Sequence, residues 1–150
     1  MSTAASVAYT LHDDLPFAEA SVIDGGLSAA NDRAAPLHEV QPLSCFARLP
    51  SGRVIGGAIG RSWGTCCELQ QLWVDPEHRR AGIATCLIGM FEARGQARGC
   101  HVFYLETFNF QAPQLYSALG YKVQYEHAVY PHRIVKYTMV RELVPATSAS

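Results

Sequence analysis

The stretch from Leu72 to Thr85 constrains the fold of this chain more than any other. Leu72-Trp73-Val74 closes a run of strand-forming residues that begins at Cys66. Pro76 ends the strand, because proline has no N–H to give to a sheet ladder. Gly82 follows, and a long helix is predicted from Gly82 to Arg98. Within it Ile83, Leu87, Met90 and Phe91 stand at i, i+4, i+7 and i+8, which makes one apolar stripe. Gly99 is placed to end that helix. Val102 to Thr107 is again rich in strand formers. Strand, turn, helix and strand in immediate succession form a β-α-β unit, which requires a sheet with a helix packed on it.

The flanking sequence adds to that sheet. Val7 to Leu11 reads as a short first strand. Pro16 to Asp32 reads as a helix, with Phe17, Ala20, Ile23 and Leu27 at helical spacing, and Gly25-Gly26 marks a point where it would break in two. Leu43 to Leu49 and Val54 to Ile59 flank Pro50-Ser51-Gly52 and predict a β-hairpin. Ala112 to Leu119 is a short helix with Pro113 in its first turn and Gly120 just past its end. Tyr121 to Glu126 and Ile134 to Val140 are the last two strands. The order β-α-α-β-β-β-α-β-α-β-β predicts a mixed α/β fold with a partly antiparallel sheet.

Bulk properties exclude several classes. The 150 residues suit one domain; residues 1–144 are read as that domain and 145–150 as a frayed tail. The formal net charge is -1, with Arg79, Arg80, Arg94 and Arg98 as a local basic cluster, so no nucleic-acid partner is expected. The small, polar Met1 to Val7 lacks the charged and apolar regions of a secretory signal. No apolar run is long enough to span a bilayer, so no membrane association is expected. The five cysteines form no C-x-x-C pair, and the histidines show no ligand spacing, so neither a disulfide framework nor a metal site is expected. A reduced, cytoplasmic protein fits this usage.

Arg79-Arg80-Ala81-Gly82-Ile83-Ala84 fits the pattern Arg/Gln-x-x-Gly-x-Gly/Ala. The first N–H groups of a helix have no internal partner and carry the positive end of its dipole, so a diphosphate can accept from several at once. Gly82 and the small Ala84 let a phosphate approach the backbone. Arg79 and Arg80 can add charge-assisted contacts, and Thr85 a hydroxyl. A plain loop-to-helix turn would read the same way. The pattern is neither a Walker loop nor the three-glycine dinucleotide fingerprint.

A second motif lies downstream. Asn109 stands seven residues before Tyr116, with Ala112 between them and Leu119-Gly120-Tyr121 just after. Together the segments Leu72–Ala84 and Asn109–Tyr121 resemble the two acetyl-CoA motifs of the GNAT N-acetyltransferase superfamily, in the right order and 25 residues apart counted from Ala84 to Asn109. The likeness covers Cys66 to Tyr121, and the phrases Leu72-Trp73-Val74 and Thr107-Phe108-Asn109-Phe110-Gln111-Ala112 are similar to a small bacterial branch with undefined substrates. Ala84 stands where glycine is commoner, and Tyr130-Pro131-His132-Arg133 lacks a glycine that the branch carries.

The resemblance implies a mostly antiparallel sheet of about six to seven strands with about four helices. It implies that the backbone of Leu72, Trp73 and Val74 pairs with the pantetheine arm, and that an N–H there, that of Val74, polarises the thioester carbonyl. Residues Arg79 to Thr85 would then hold the pyrophosphate. Asn109 would bond the pantetheine arm, although a loop cap suits it too. Tyr116 resembles the acid that protonates the departing thiolate, with a packing tyrosine as the alternative. Glu68 is the first candidate for the base that frees the amine, Glu106 the second, and a solvated carboxylate the plain alternative. Cys86 inside the long helix reads as packing, so direct attack by an amine is expected rather than an acyl-cysteine route. The acceptor would be a small-molecule or peptide amine, and dimerisation is common in that family. The competing reading is a non-catalytic acyl-CoA-binding module. It keeps the phosphate loop and needs no acid or base.

Overall fold

The computed structural model describes residues 5–144. The chain divides into two compact units, one ending at His38 and one beginning at Glu39. The first contains helix α1 (Phe17–Ala34), which follows an extended lead. It is one continuous helix: Gly25 and Gly26 do not break it. A glycine costs a helix interior about 1 kcal/mol against alanine, which weakens but does not forbid it. The strand expected at Val7 to Leu11 is absent. A strand exists only through a paired neighbour, and no described strand pairs with that segment.

The second unit is a six-stranded sheet with two α-helices. Its strands are β1 (Gln41–Arg48), β2 (Val54–Trp63), β3 (Cys66–Val74), β4 (Val102–Phe108), β5 (Lys122–His127) and β6 (Lys136–Glu142). Between them lie α2 (Ile83–Ala97) and α3 (Pro113–Ala118). The sheet order is β1-β2-β3-β4-β6-β5, and every pair is antiparallel except β3 with β4. The mixed, mostly antiparallel sheet therefore stands as expected, with three α-helices among the described residues instead of about four.

Helix α2 builds the core. Leu87, Ile88, Phe91, Glu92 and Gly95 are its buried residues. Met90, expected on the stripe, is half exposed, and Ile88 takes its place. At 100° per residue the five buried residues centre near Gly95, a direction that takes in Ile88 and turns Met90 outward. Below the helix lie Cys67, Leu69, Phe103, Leu105 and Met139 from three strands. Burial of such side chains contributes about 1.5–3 kcal/mol each. The carboxylate of Glu92 is buried with them and accepts from the Arg141 guanidinium on β6. That pair ties α2 to the far half of the sheet.

One irregularity positions the site. Ile59 of β2 pairs with Gln71, yet its neighbour Gly60 pairs with Leu69. Gln70 is thus an extra residue, a β-bulge, which bends its strand. Gly60 is required opposite it: a Cβ there would come within 1.9 Å of the Glu68 carbonyl oxygen and 2.7 Å of the Phe91 ring. The bulge also breaks the alternation of the strand, leaving the neighbours Gln70 and Gln71 both exposed.

Candidate active site

Strands β3 and β4 are paired only from Cys66–Val102 to Leu69–Leu105. Past the Gln70 bulge they part. A cleft of about 720 Å³ opens between Gln70–Val74 on one side and Glu106–Thr107 on the other. An unpaired strand edge carries a row of free N–H and C=O groups, so this length of β3 can take an extended chain as a further strand.

The loop after β3 is held from below. The Asp75 carboxylate is buried; it accepts from the Glu77 N–H at 2.9 Å and pairs with Arg53 at 2.9 Å. The Asp75 N–H donates to the Ile55 carbonyl at 2.7 Å. Arg79 is turned inward, its Nε donating to the Val74 carbonyl at 3.0 Å. That bond braces the turn against the strand end. Arg80 and Gly82 then take the left-handed region, at φ 65° and 76°. At Gly82 that conformation itself calls for glycine, and its Cβ direction is open space.

Helix α2 starts immediately. Its first bond runs from Cys86 N–H to the Gly82 carbonyl at 3.1 Å. The N–H groups of Ile83, Ala84 and Thr85 are therefore the free donors of the first turn, and all three residues line the cleft. Leu72, Trp73, Val74, Arg79, Arg80 and Gly82 line it as well. Ala81 is outside the lining. The donor set suits a diphosphate: free N–H groups, a helix dipole and an exposed Arg80 at one mouth. No group of three metal-binding side chains occurs among the described residues.

Tyr116 is the buried residue of α3 and lines the opposite wall. Its ring meets that of Tyr121 edge-on, centroids 5.9 Å apart. Burial pushes its phenol above the ordinary tyrosine range, so it stays protonated through neutral pH and beyond.

Two sequence candidates lie elsewhere. Glu68 sits upstream of the bulge, where the sheet is still closed, paired across to Tyr104. Its Oε2 accepts from Arg61 Nε at 2.8 Å, and it is not among the residues lining the cleft. The Tyr104 phenol, pushed up to about 12 by burial and by the adjacent Glu68, is the other polar neighbour. Glu106 is the carboxylate that lines the cleft. Asn109 also lies off the lining. Its Nδ2 donates to the Arg133 carbonyl at 3.0 Å, and its Oδ1 accepts from the Val135 N–H at 3.2 Å. It clamps two loops together, which is the capping alternative read from the sequence.

Sequence reasoning passed over Gln71, Phe110, Gln111 and Leu115, which all line the cleft. The side-chain oxygen of Gln111 accepts from the Phe108 N–H at 2.8 Å and from the Thr107 hydroxyl at 3.1 Å, fixing the turn after β4. The Nδ1 of His78 is buried with no hydrogen-bond partner among the described residues. Proximity to the two motifs was the available signal for all four.

Comparison with known proteins agrees with this geometry. Residues 10–121 match the Acetyltransferase (GNAT) family. A Blasticidin-S acetyltransferase from Streptomyces morookaense is 34% identical over 115 residues, 74% of this chain and 85% of that protein. An acetyltransferase from Bacillus cereus has the same fold, with a TM-score of 0.73 at 21% identity over 89% of this chain and 98% of its own. A protein described as a streptothricin acetyltransferase from Bacillus anthracis, solved with acetyl coenzyme A, gives a TM-score of 0.62 at 19% identity, over 69% of this chain and 64% of its own. The cleft between two parted strands, the free helix N-terminus at its mouth and these matches lead to one conclusion: the chain belongs to the GNAT family and is an acetyltransferase.

Proposed function

We propose that this acetyltransferase moves the acetyl group of acetyl-CoA to the amine of a small molecule by direct attack on the thioester. The observation that carries the proposal is the continuity of the cleft. It runs from the first turn of α2, along the unpaired edge of β3, to Tyr116 and Glu106. A pyrophosphate at Ile83–Thr85 would leave the pantetheine arm beside Leu72–Val74, in the manner of an added strand. A strand N–H such as that of Val74 would stabilise the charge that develops on the carbonyl oxygen.

Tyr116 then supplies the proton taken up by the departing thiolate, as its raised pKa keeps the donor form present. Glu106, rather than Glu68, is the carboxylate suited to accept the amine's proton, directly or through water. Glu68 lies upstream of the bulge and off the cleft lining. A small-molecule acceptor is favoured because the Streptomyces relative bears the name of one. A cytoplasmic location belongs to the same reading, since all five thiols are free and suit a reducing compartment. So does a homodimer, on family grounds alone.

The test has two parts. Acetyl-CoA at about 100 times its Kd stabilises a binder by about 2.7 kcal/mol, so a thermal melt will rise clearly. Arg80→Glu should reduce that rise sharply. Free-thiol release with a panel of amines then reads transfer itself. A melt unmoved by CoA compounds defeats the proposal at the binding step, and protection without turnover on any amine defeats it at the transfer step. The non-catalytic module has no observation in its favour.

A further inference from the structure

In the loop that follows β4, along the same cleft, stands a group of side chains that acetyl transfer itself does not use. Phe110 lines the cleft yet is 66% exposed. Its ring lies parallel to that of Phe108, with centroids 5.1 Å apart and an interplanar angle of 9°. Tyr130, from the loop before β6, meets Phe108 edge-on at 5.6 Å. One face of Phe110 is therefore covered by Phe108, and the other looks outward.

This arrangement is held rigidly. Asn109 joins the two loops that carry the rings, through both ends of its side chain and through its N–H to the Val135 carbonyl at 2.9 Å. His132 and Arg133, in the same loop as Tyr130, are both left-handed, at φ 60° and 57°. Such backbone persists in non-glycine residues only where the surroundings impose it, and it concentrates at functional sites. Phe110, stacked on Phe108, gives the cleft an aromatic face that is open to solvent.

The charge beside it narrows the partner. Glu106 is the one carboxylate lining the cleft. Its Oε2 is bound by Lys136 Nζ at 2.8 Å, and Lys136 in turn lies 5.9 Å from the centre of the Phe108 ring. The Glu106 side chain is 44% exposed, which leaves it accessible to an ammonium beside that of Lys136. A polyamine, which needs several carboxylates, finds one already shared. A flat ring finds an aromatic face of matching polarity, where offset stacking adds to simple burial.

We propose that Phe110, backed by Phe108 and Tyr130, is an acceptor subsite, and that it takes an amine carrying a flat unsaturated ring near its ammonium group. The ring stacks on the free face of Phe110 and the ammonium meets Glu106. This rests on the acetyl-transfer reading above and adds the substrate class to it.

The experiment compares 2-phenylethylamine and tryptamine with 2-cyclohexylethylamine at saturating acetyl-CoA. The saturated amine is the more hydrophobic of the comparison, so burial alone would favour it. Stacking should instead favour the two flat amines by about three- to tenfold in kcat/KM. Phe110→Leu keeps an apolar side chain and should bring the ratio to about one; Phe110→Trp should restore it. A wild-type ratio near one, or a preference that survives Phe110→Leu, overturns the subsite. If no amine is acetylated, calorimetric titration of the same amines into the CoA complex decides. Ring-selective binding lost in Phe110→Leu upholds the subsite while the transfer reading fails, and unselective or absent binding sinks the subsite.

Discussion

Two regions of the cleft lining are built on different principles. The first is one contiguous segment, Arg79 to Thr85, and offers mainly backbone: three free N–H groups, two left-handed residues and a helix dipole. The second is assembled from the end of β4 and two loops far apart in sequence, and offers the side chains of Phe110, Phe108, Tyr130 and Glu106. Asn109 is the joint between those loops. The comparison teaches where change is tolerated. A backbone site accepts many side chains but few alterations of geometry, whereas a side-chain site can be re-specified by single substitutions.

The largest expected effect probes Tyr116, which lines the same cleft as both regions. Tyr116→Phe should lower kcat by about 10²–10³, within the range of general-acid catalysis, while calorimetry finds CoA binding nearly unchanged. A loss of CoA affinity equal to the loss of rate would make Tyr116 part of the phosphate half instead.

Next comes the tie between the halves. Glu92→Ala leaves Arg141 without its partner at a site where Glu92 is buried. Breaking such a pair costs about 3 kcal/mol, the low end for buried pairs because Arg141 is partly exposed. Chemical denaturation will read it as a lower midpoint. An unchanged midpoint would show the two halves to be independently stable.

Asn109→Ala separates the two regions more finely. Two hydrogen bonds of about 1 kcal/mol each are removed, so the amine KM should rise about tenfold while the acetyl-CoA KM hardly moves. Steady-state kinetics in both substrates measures the split. A rise in the acetyl-CoA KM instead would return Asn109 to the pantetheine arm.

The smallest effect lies in pH. Burial pushes the Cys67 thiol and the Tyr104 phenol up to about 12. Both are neutral in the fold, but in the unfolded chain they ionise from their ordinary values of 9.0 and 10.0. The unfolded state then binds fewer protons, so stability is whole below about pH 9 and declines as pH climbs towards 12. Thermal melts across that range should show the decline, and Tyr104→Phe should make it shallower above pH 10.

Legibility in the sequence followed the same division. The hairpin of β1 and β2, the strand Cys66–Val74 and both helices of the second unit were readable, since each is set by local periodicity and punctuation. The cleft lining at Leu72–Val74, Arg79–Arg80 and Gly82–Thr85 followed from the first motif. Val7–Leu11 failed as a strand because alternation only permits pairing and does not supply a neighbour. Glu68 was a candidate by its place on the strand Cys66–Val74, upstream of an expected bulge; that bulge falls at Gln70, and Glu68 lies in the closed part of the sheet, off the cleft lining. Asn109 looked like a ligand-binding amide because its partners at Arg133 and Val135 are 24 and 26 residues away.

By itself, then, the sequence determined the elements of the second unit, their order and the glycine turn into α2, all of which depend on residues within a few positions of one another. The tertiary structure alone decided which carboxylate reaches the cleft, what Asn109 holds and how Phe110 is displayed. Each of those depends on the register between β2 and β3 or on two loops meeting, and such relations are set by packing between distant segments, which local pattern does not encode.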